Sequence, residues 1–288
     1  MSRTVRVVVL AALMIFVFAA ASASAATPEL GSSPDWSSVD GAARYGDGHA
    51  IPLEAAQPAW FTDELAAQVD AANGAPVAAP NDAPLPGEIG IRPGSWMIAP
   101  AGCTMNFVFG SPGSYSIGTA GHCGANGEEV VLLTLAPGGA NPVLVELGTV
   151  LRSVDGGVGN DFALVSIRPE LQSWVSPTIA IVAGPCSSYT GSGPEPVFHY
   201  GHGLAVGTGG TPRAGLALTW QADAFGWSGA AAPGDSGSAV RVNTGMQAAG
   251  DLTHLVVDTN WLPSYIAGTR MGPILQIAGQ PLANSPLC

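Results

Sequence analysis

Ten short runs rich in β-branched and aromatic residues follow one another from residue 95 onward, each separated from the next by Gly or Pro. They are Asn106-Phe109, Tyr115-Thr119, Val130-Leu135, Val143-Leu151, Phe162-Ile167, Thr178-Val182, Val197-Tyr200, Leu216-Trp220, Ser238-Val242 and Leu252-Val257. Strands this short and this closely spaced build an all-β barrel or sandwich. In one of them Val143, Val145, Leu147, Thr149 and Leu151 fall on one face by period-two alternation. The breaks draw on 39 Gly and 24 Pro, against 47% apolar and 10% charged residues, a profile unlike a disordered tail or a coiled coil. A short C-terminal helix is expected over Pro273 to Ala278, with proline in its first turn and Gly279 ending it.

What precedes residue 95 is different. Arg3 and Arg6 lead into an apolar run from Val7 to Ala21, and Ala23-Ser24-Ala25 fits a small-x-small cleavage site. Fifteen apolar residues fall short of the ~20 that span a bilayer. Residues 1-25 therefore read as a signal peptide, and the mature protein as secreted, with no membrane attachment after its removal. Residues 26-94 read as a pro-segment or flexible N-terminal extension, with a linker in the Pro-rich run from Ala75 to Gly87. A short helix is expected between Trp60 and Ala72, capped by Thr62 or Asp63. The remainder, 95-288, is the expected folded domain, with a division near 170-195.

Charge and composition exclude several functions. All nine basic residues are Arg. Without lysine, a P-loop phosphate clamp, a pyridoxal Schiff base and a Ser-Lys dyad are ruled out. A formal charge of -12 argues against nucleic acid as a partner, and a monomer is expected. Cys103, Cys123, Cys186 and Cys288 form no CxxC pair, so a zinc ribbon or redox motif is unsupported. His199 and His202 stand three apart on a strand running into a Gly-flanked turn, with no third ligand nearby, so no metal and no cofactor is expected.

Three strings carry chemistry: Thr119-Ala120-Gly121-His122-Cys123, Asn160-Asp161-Phe162-Ala163-Leu164 and Gly234-Asp235-Ser236-Gly237-Ser238. Each alone is an ordinary polar turn or strand end. In the order His, Asp, Ser they supply a base, an orienting carboxylate and a nucleophile. On these motifs residues 95-288 resemble the chymotrypsin-like (trypsin-fold) serine proteases. The spacings, 39 residues from His122 to Asp161 and 75 more to Ser236, look like those of compact bacterial secreted members. The resemblance implies two six-stranded antiparallel β-barrels with a cleft between them. It implies a serine endopeptidase in which His122 takes the proton of Ser236 while Asp161 orients His122. The N–H groups of Gly234 and Ser236 would form the oxyanion hole, each donor worth about 2.7–4 kcal/mol in the barrier.

The family pairs cysteines at the positions of Cys103 and Cys123, which leaves Cys186 with Cys288; four cysteines allow three pairings. Each bridge is worth roughly 3–5 kcal/mol by loop entropy. Ala230, Ala231, Ala232 and Pro233 precede the nucleophile and should line the substrate pocket, with Thr253, His254 and Leu255 on the strand that pairs with a peptide substrate. The position that carries Asp in trypsin-like members falls at about Ala230, so cleavage after Arg or Lys is disfavoured. A small or medium apolar side chain is expected instead, with an acidic one read by His254 as the alternative. The competing functions are a catalytically silent binding protein on this fold and an esterase or acyltransferase using the same three residues.

Overall fold

The computed structural model describes residues 41–203 and 210–288. The expected signal peptide, 1-25, lies outside the described residues. Two curled antiparallel sheets, each a half-barrel, carry the fold, with a short helix at the C-terminal end.

The first sheet contains β3 (Val77–Ala78), β4 (Trp96–Ala99), β5 (Cys103–Thr104), β6 (Val108–Phe109), β7 (Ser116–Thr119), β8 (Glu129–Leu135), β9 (Pro142–Asp155) and β10 (Asp161–Ser166). Its order is β5-β4-β8-β9-β10-β7-β6, with β3 beside β9. The second contains β1 (Ala43–Tyr45), β2 (Gly48–Pro52), β11 (Glu195–Gly201), β12 (Thr211–Trp220), β13 (Ala224–Gly229), β14 (Ala239–Val242), β15 (Ala248–Asp251), β16 (His254–Val257) and β17 (Pro263–Thr269). Its order is β1-β2-β16-β17-β13-β12-β11-β14-β15.

Among the described residues the two sheets therefore hold eight and nine strands rather than six each. Three of them, β1, β2 and β3, come from the segment whose composition set it apart. That segment is not a flexible extension over residues 41–94. Ile51 and Leu53 are wholly buried against the second sheet, and Phe61 and Val69 are buried against the first. The helix α1 (Asp63–Ala71) is capped by Thr62, whose Oγ1 accepts from the Leu65 N–H at 3.3 Å. It packs with Trp96, Ile98 and Leu133. The Pro-rich run is not a free linker either, since Val77 and Ala78 pair with Leu144 and Val143 of β9. Strand addition needs only backbone N–H and C=O groups, so an Ala/Pro-rich composition does not forbid it.

Each sheet wraps its own apolar core. Met97, Val108, Ile117, Leu132, Val145 and Val165 fill the first; Val197, Trp227, Val240, Leu252 and Ile266 fill the second. A third cluster, with Phe107, Phe109, Phe162, Tyr200 and Ile274, joins residues of both sheets to α2 (Met271–Ala278). Gly279 ends that helix in a left-handed conformation, its N–H donating to Leu275 O. The run Thr178-Val182 is not a strand: Ile181 has positive φ and is exposed. Disulfides join Cys103 to Cys123 and Cys186 to Cys288. The second ties the chain end to the stretch between the sheets, where Ser285 N also donates to Pro185 O at 2.7 Å.

Candidate active site

Register brings His122 and Asp161 together. Antiparallel β7 and β10 pair Thr119 with Ala163, so the residues just beyond Thr119 lie opposite the start of β10. The chain turns there through a 3₁₀ turn, Gly121–Cys123, pinned by the disulfide to β5. Asp161 is completely buried. Its Oδ1 accepts from the backbone N–H of Gly121 and, at 3.1 Å, from that of His122. Its Oδ2 faces His122 Nδ1 at 2.6 Å. A carboxylate accepts only, so Nδ1 carries the ring proton and Nε2 is left with its lone pair. Nε2 lies 2.7 Å from Ser236 Oγ.

Two opposing effects act on His122. Burial pulls its pKa down, but the Asp161 carboxylate, with lesser help from Glu54 and Asp155, outweighs this and holds it above the ordinary 6.5. Burial likewise pushes Asp161 up, and His122 with the hydrogen bonds it donates brings the carboxyl below its usual range. Behind it lies Asp251, also wholly buried, which accepts from Thr269 N at 3.1 Å and Asn106 Nδ2 at 3.4 Å. Burial and the nearby Asp161 charge raise Asp251 well above the carboxylate range, which favours its neutral form. This accounts for an acid in an otherwise apolar strand.

Ser236 sits in a turn that only glycine can make. Gly234 and Gly237 have φ of +102° and +86°, and a Cβ on Gly237 would collide with the Thr104 carbonyl. The turn aims the N–H groups of Gly234 and Ser236 at one acceptor, the carbonyl oxygen of Leu53, at 2.6 and 3.2 Å. Asp235, between them, is completely buried and fully engaged. Its Oδ1 accepts from Arg213 Nη1 at 2.6 Å and Gly203 N at 2.8 Å, and its Oδ2 from Ala232 N at 2.9 Å. The sequence points to Arg213 in one way: it is the lone basic residue between Arg168 and Arg241. Removing it leaves Asp235 as an uncompensated buried charge, so Arg213→Met is expected to cost about 3–5 kcal/mol of stability. Urea unfolding followed by Trp fluorescence reads this directly, and an unchanged midpoint would dismiss the pair as structural support.

The remaining expected site residues divide. Thr253 O accepts from Leu53 N at 3.2 Å and lies 3.0 Å from Ser236 Oγ, while Thr253 Oγ1 faces Ala267 O at 3.4 Å rather than Asp161. His254 is nearly buried, with Nδ1 at 2.9 Å from Thr253 Oγ1 and 3.6 Å from Asp161 Oδ2, and its ring edge-on to His122 at 5.5 Å. Burial takes its pKa down to about 4. It packs against the His–Asp pair and is neutral at ordinary pH. Leu255 is buried and Ala231 packs against the cluster that holds Leu53. Ala232 and Pro233 are half-buried, and Ala230 is exposed, with its carbonyl 3.3 Å from His199 Nε2. His199 and His202 do not converge on one point: His202 Nε2 meets Glu88 Oε1 at 2.9 Å, both side chains fully buried. Glu88 also accepts from Trp96 N and the Tyr200 hydroxyl. Sequence reasoning missed Glu88, Leu53 and Glu54 because all three lie in the Pro/Ala-rich segment.

No protein-family model and no curated protein matches the chain. Among solved structures it is similar to Thermobifida fusca protease A, at 19% identity and a TM-score of 0.46, over 68% of this chain and 100% of that one. It is similar to Cellulomonas bogoriensis chymotrypsin at 19% identity and 0.43, over 69% and 97%. A Nocardiopsis protease is similar at 20% identity and 0.43, over 69% and 99%.

Proposed function

We propose that the chain is an exported serine endopeptidase that cleaves peptide bonds through an acyl-enzyme on Ser236. The observation that carries this reading is the grouping around Leu53: the N–H donors of Gly234 and Ser236 hold its carbonyl oxygen, and the Ser236 hydroxyl, partnered by His122 Nε2 at 2.7 Å, lies 3.0 Å from its nitrogen. Ser236 Oγ attacks the carbonyl carbon as its proton passes to His122 Nε2. The imidazolium so formed is stabilised by Asp161, and the tetrahedral oxygen by the two N–H groups. His122 then gives the proton to the leaving amine. Water enters, His122 deprotonates it, and the ester is hydrolysed.

A peptide substrate would add as a strand along β16, with Thr253 O receiving the N–H of the residue before the cut. The alanines at 230–232 and the neutral, inward-facing His254 support an apolar side chain at that residue. They speak against an acidic one, because His254 has no charge to offer above about pH 4. Ala230, at the position expected to carry the Asp of trypsin-like members, offers no carboxylate to an Arg or Lys.

The test is turnover of chromogenic peptides ending in Leu, Glu or Arg. We expect hydrolysis after Leu to exceed that after Arg by at least about 100-fold. The pH profile has a definite sign. His122 must be neutral to act, so the rate falls as pH drops through its pKa, and the acid limb lies above 6.5 because that pKa is raised. A maximum near pH 4 would contradict a histidine base. Hydrolysis of esters without amides would favour the esterase reading.

A further inference from the structure

The carbonyl in the site belongs to the protein itself. We propose that Leu53–Glu54 is the first substrate of this active site: the chain threads its own N-terminal segment through the cleft as a peptide and cuts it there. The inference rests on the protease reading above and names its regulation and its preferred residue.

Contacts on both sides of this bond give it the setting of a substrate bond. Leu53 O accepts from Gly234 N and Ser236 N, at 2.6 and 3.2 Å. Leu53 N donates towards Thr253 O at 3.2 Å and lies 3.0 Å from Ser236 Oγ. Before the bond, β2 runs antiparallel to β16, with Pro52 opposite His254 and Ile51 opposite Leu255. After it, Ala55 and Gly102 exchange both backbone hydrogen bonds at 2.7 Å. The chain is thus held on both sides of the Leu53–Glu54 link, whose carbonyl oxygen the Gly234 and Ser236 N–H groups hold. The Leu53 side chain is wholly buried, in the cluster against which Ala231, the expected pocket wall, also packs. Glu54 follows with its Oε2 3.5 Å from His122 Nε2.

The step balances without any co-reactant but water. Ser236 Oγ bonds to the Leu53 carbonyl carbon, and its proton passes through His122 to the Glu54 nitrogen as the C–N bond breaks. Water then splits the Leu53 ester, returning the proton to Ser236 Oγ and leaving a Leu53 carboxylate. The two products differ in what holds them. The downstream part stays docked through α1, β3 and Glu88. Among the described residues, the upstream part is held by β2 on β16, by the Ile51, Leu53 and Ala42 side chains, and by the His49 ring stacked on Trp261. No disulfide braces it, since all four cysteines are paired elsewhere. Its departure opens the cleft. The same contacts predict the class of later substrates: extended peptides with Leu before the cut.

The experiment follows the full chain, purified at pH 5 and then shifted to pH 8, by intact mass and N-terminal sequencing. We expect a new N-terminus of Glu-Ala-Ala-Gln-Pro, beginning at Glu54, formed by first-order kinetics independent of protein concentration. Ser236→Ala stays uncut. Leu53→Asp is cut at this bond about 100-fold more slowly but hydrolyses an external Leu peptide from the outset, because its cleft is open. Glu54→Pro keeps the Leu53 anchor and is uncut and inactive towards that peptide. Three outcomes would overturn the inference while leaving the protease reading intact: a wild-type chain that hydrolyses the external peptide with its 53–54 bond whole, a cut at another position only, or a wild type that stays whole and silent beside an active Leu53→Asp. Cutting of Ser236→Ala at the wild-type rate would assign the event to another protease. Inactivity of wild type and Leu53→Asp alike would sink the protease reading, and the inference with it.

Discussion

In the Leu53→Asp background, where the cleft is open without processing, Ser236→Ala is expected to lower kcat on a Leu peptide by about 10⁶-fold and to leave the fold untouched. The size of the effect follows from what remains. The alanine chain keeps both N–H donors and the cleft, so it should retain about 10³–10⁴ over the uncatalysed reaction. It loses the covalent route altogether, since no other nucleophile stands within reach of His122 Nε2 among the contacts described. A fluorophosphonate should add one mass increment to the processed wild type and none to the variant. Residual activity above about 1% of wild type would require a second nucleophile. An adduct elsewhere in the chain would remove Ser236 from its assigned role.

In the same Leu53→Asp background, Asp161→Asn is expected to cost about 10⁴ in kcat with little change in binding. The structure gives the reason. Oδ1 of Asp161 accepts from two backbone N–H groups, of Gly121 and His122. An asparagine placed there must keep its carbonyl oxygen at those donors. Its NH₂ then points at His122 Nδ1, where the carboxylate oxygen stood. Nδ1 is forced to accept, the ring proton moves to Nε2, and the base has no lone pair for Ser236. Single-turnover rates at pH 8, with circular dichroism to verify folding, would measure this. Loss of less than tenfold would show that Asp161 neither sets the tautomer nor stabilises the imidazolium.

The parts of the site that were legible in sequence share one property: local backbone geometry demands their neighbours. Gly234 and Gly237 flank Ser236 because positive φ is needed there. Gly121 precedes His122 because an added Cβ would collide with the Val154 carbonyl. The β character was legible for the same kind of reason, through the Gly and Pro breaks. What was hidden depends on contacts between distant parts of the chain. Arg213 is one arginine on a mostly exposed strand until β12 brings it to Asp235. Glu88 is one acid after a proline run until it meets His202. Leu53 has no motif at all, because a peptide in a cleft is recognised by its backbone, which every residue shares. Strands β13 and β17 escaped notice since glycine and serine interrupt their apolar pattern.

The place of β16 in its sheet has a further physical consequence. In the intact chain it is an interior strand, hydrogen-bonded to β2 on one side and β17 on the other, with His254, Leu255, Val256 and Val257 all buried. Once β2 departs, β16 becomes a sheet edge: a row of unpaired amides beside an apolar surface. Such an edge is a general template for pairing with any extended chain, including a second copy of the same protein. On the cleavage proposed above, β2 would also cover that edge while the chain folds. After that cut the remaining chain would carry an adhesive margin, and its 17 acidic against six basic residues from Glu54 onward would supply the mutual repulsion that keeps such margins apart.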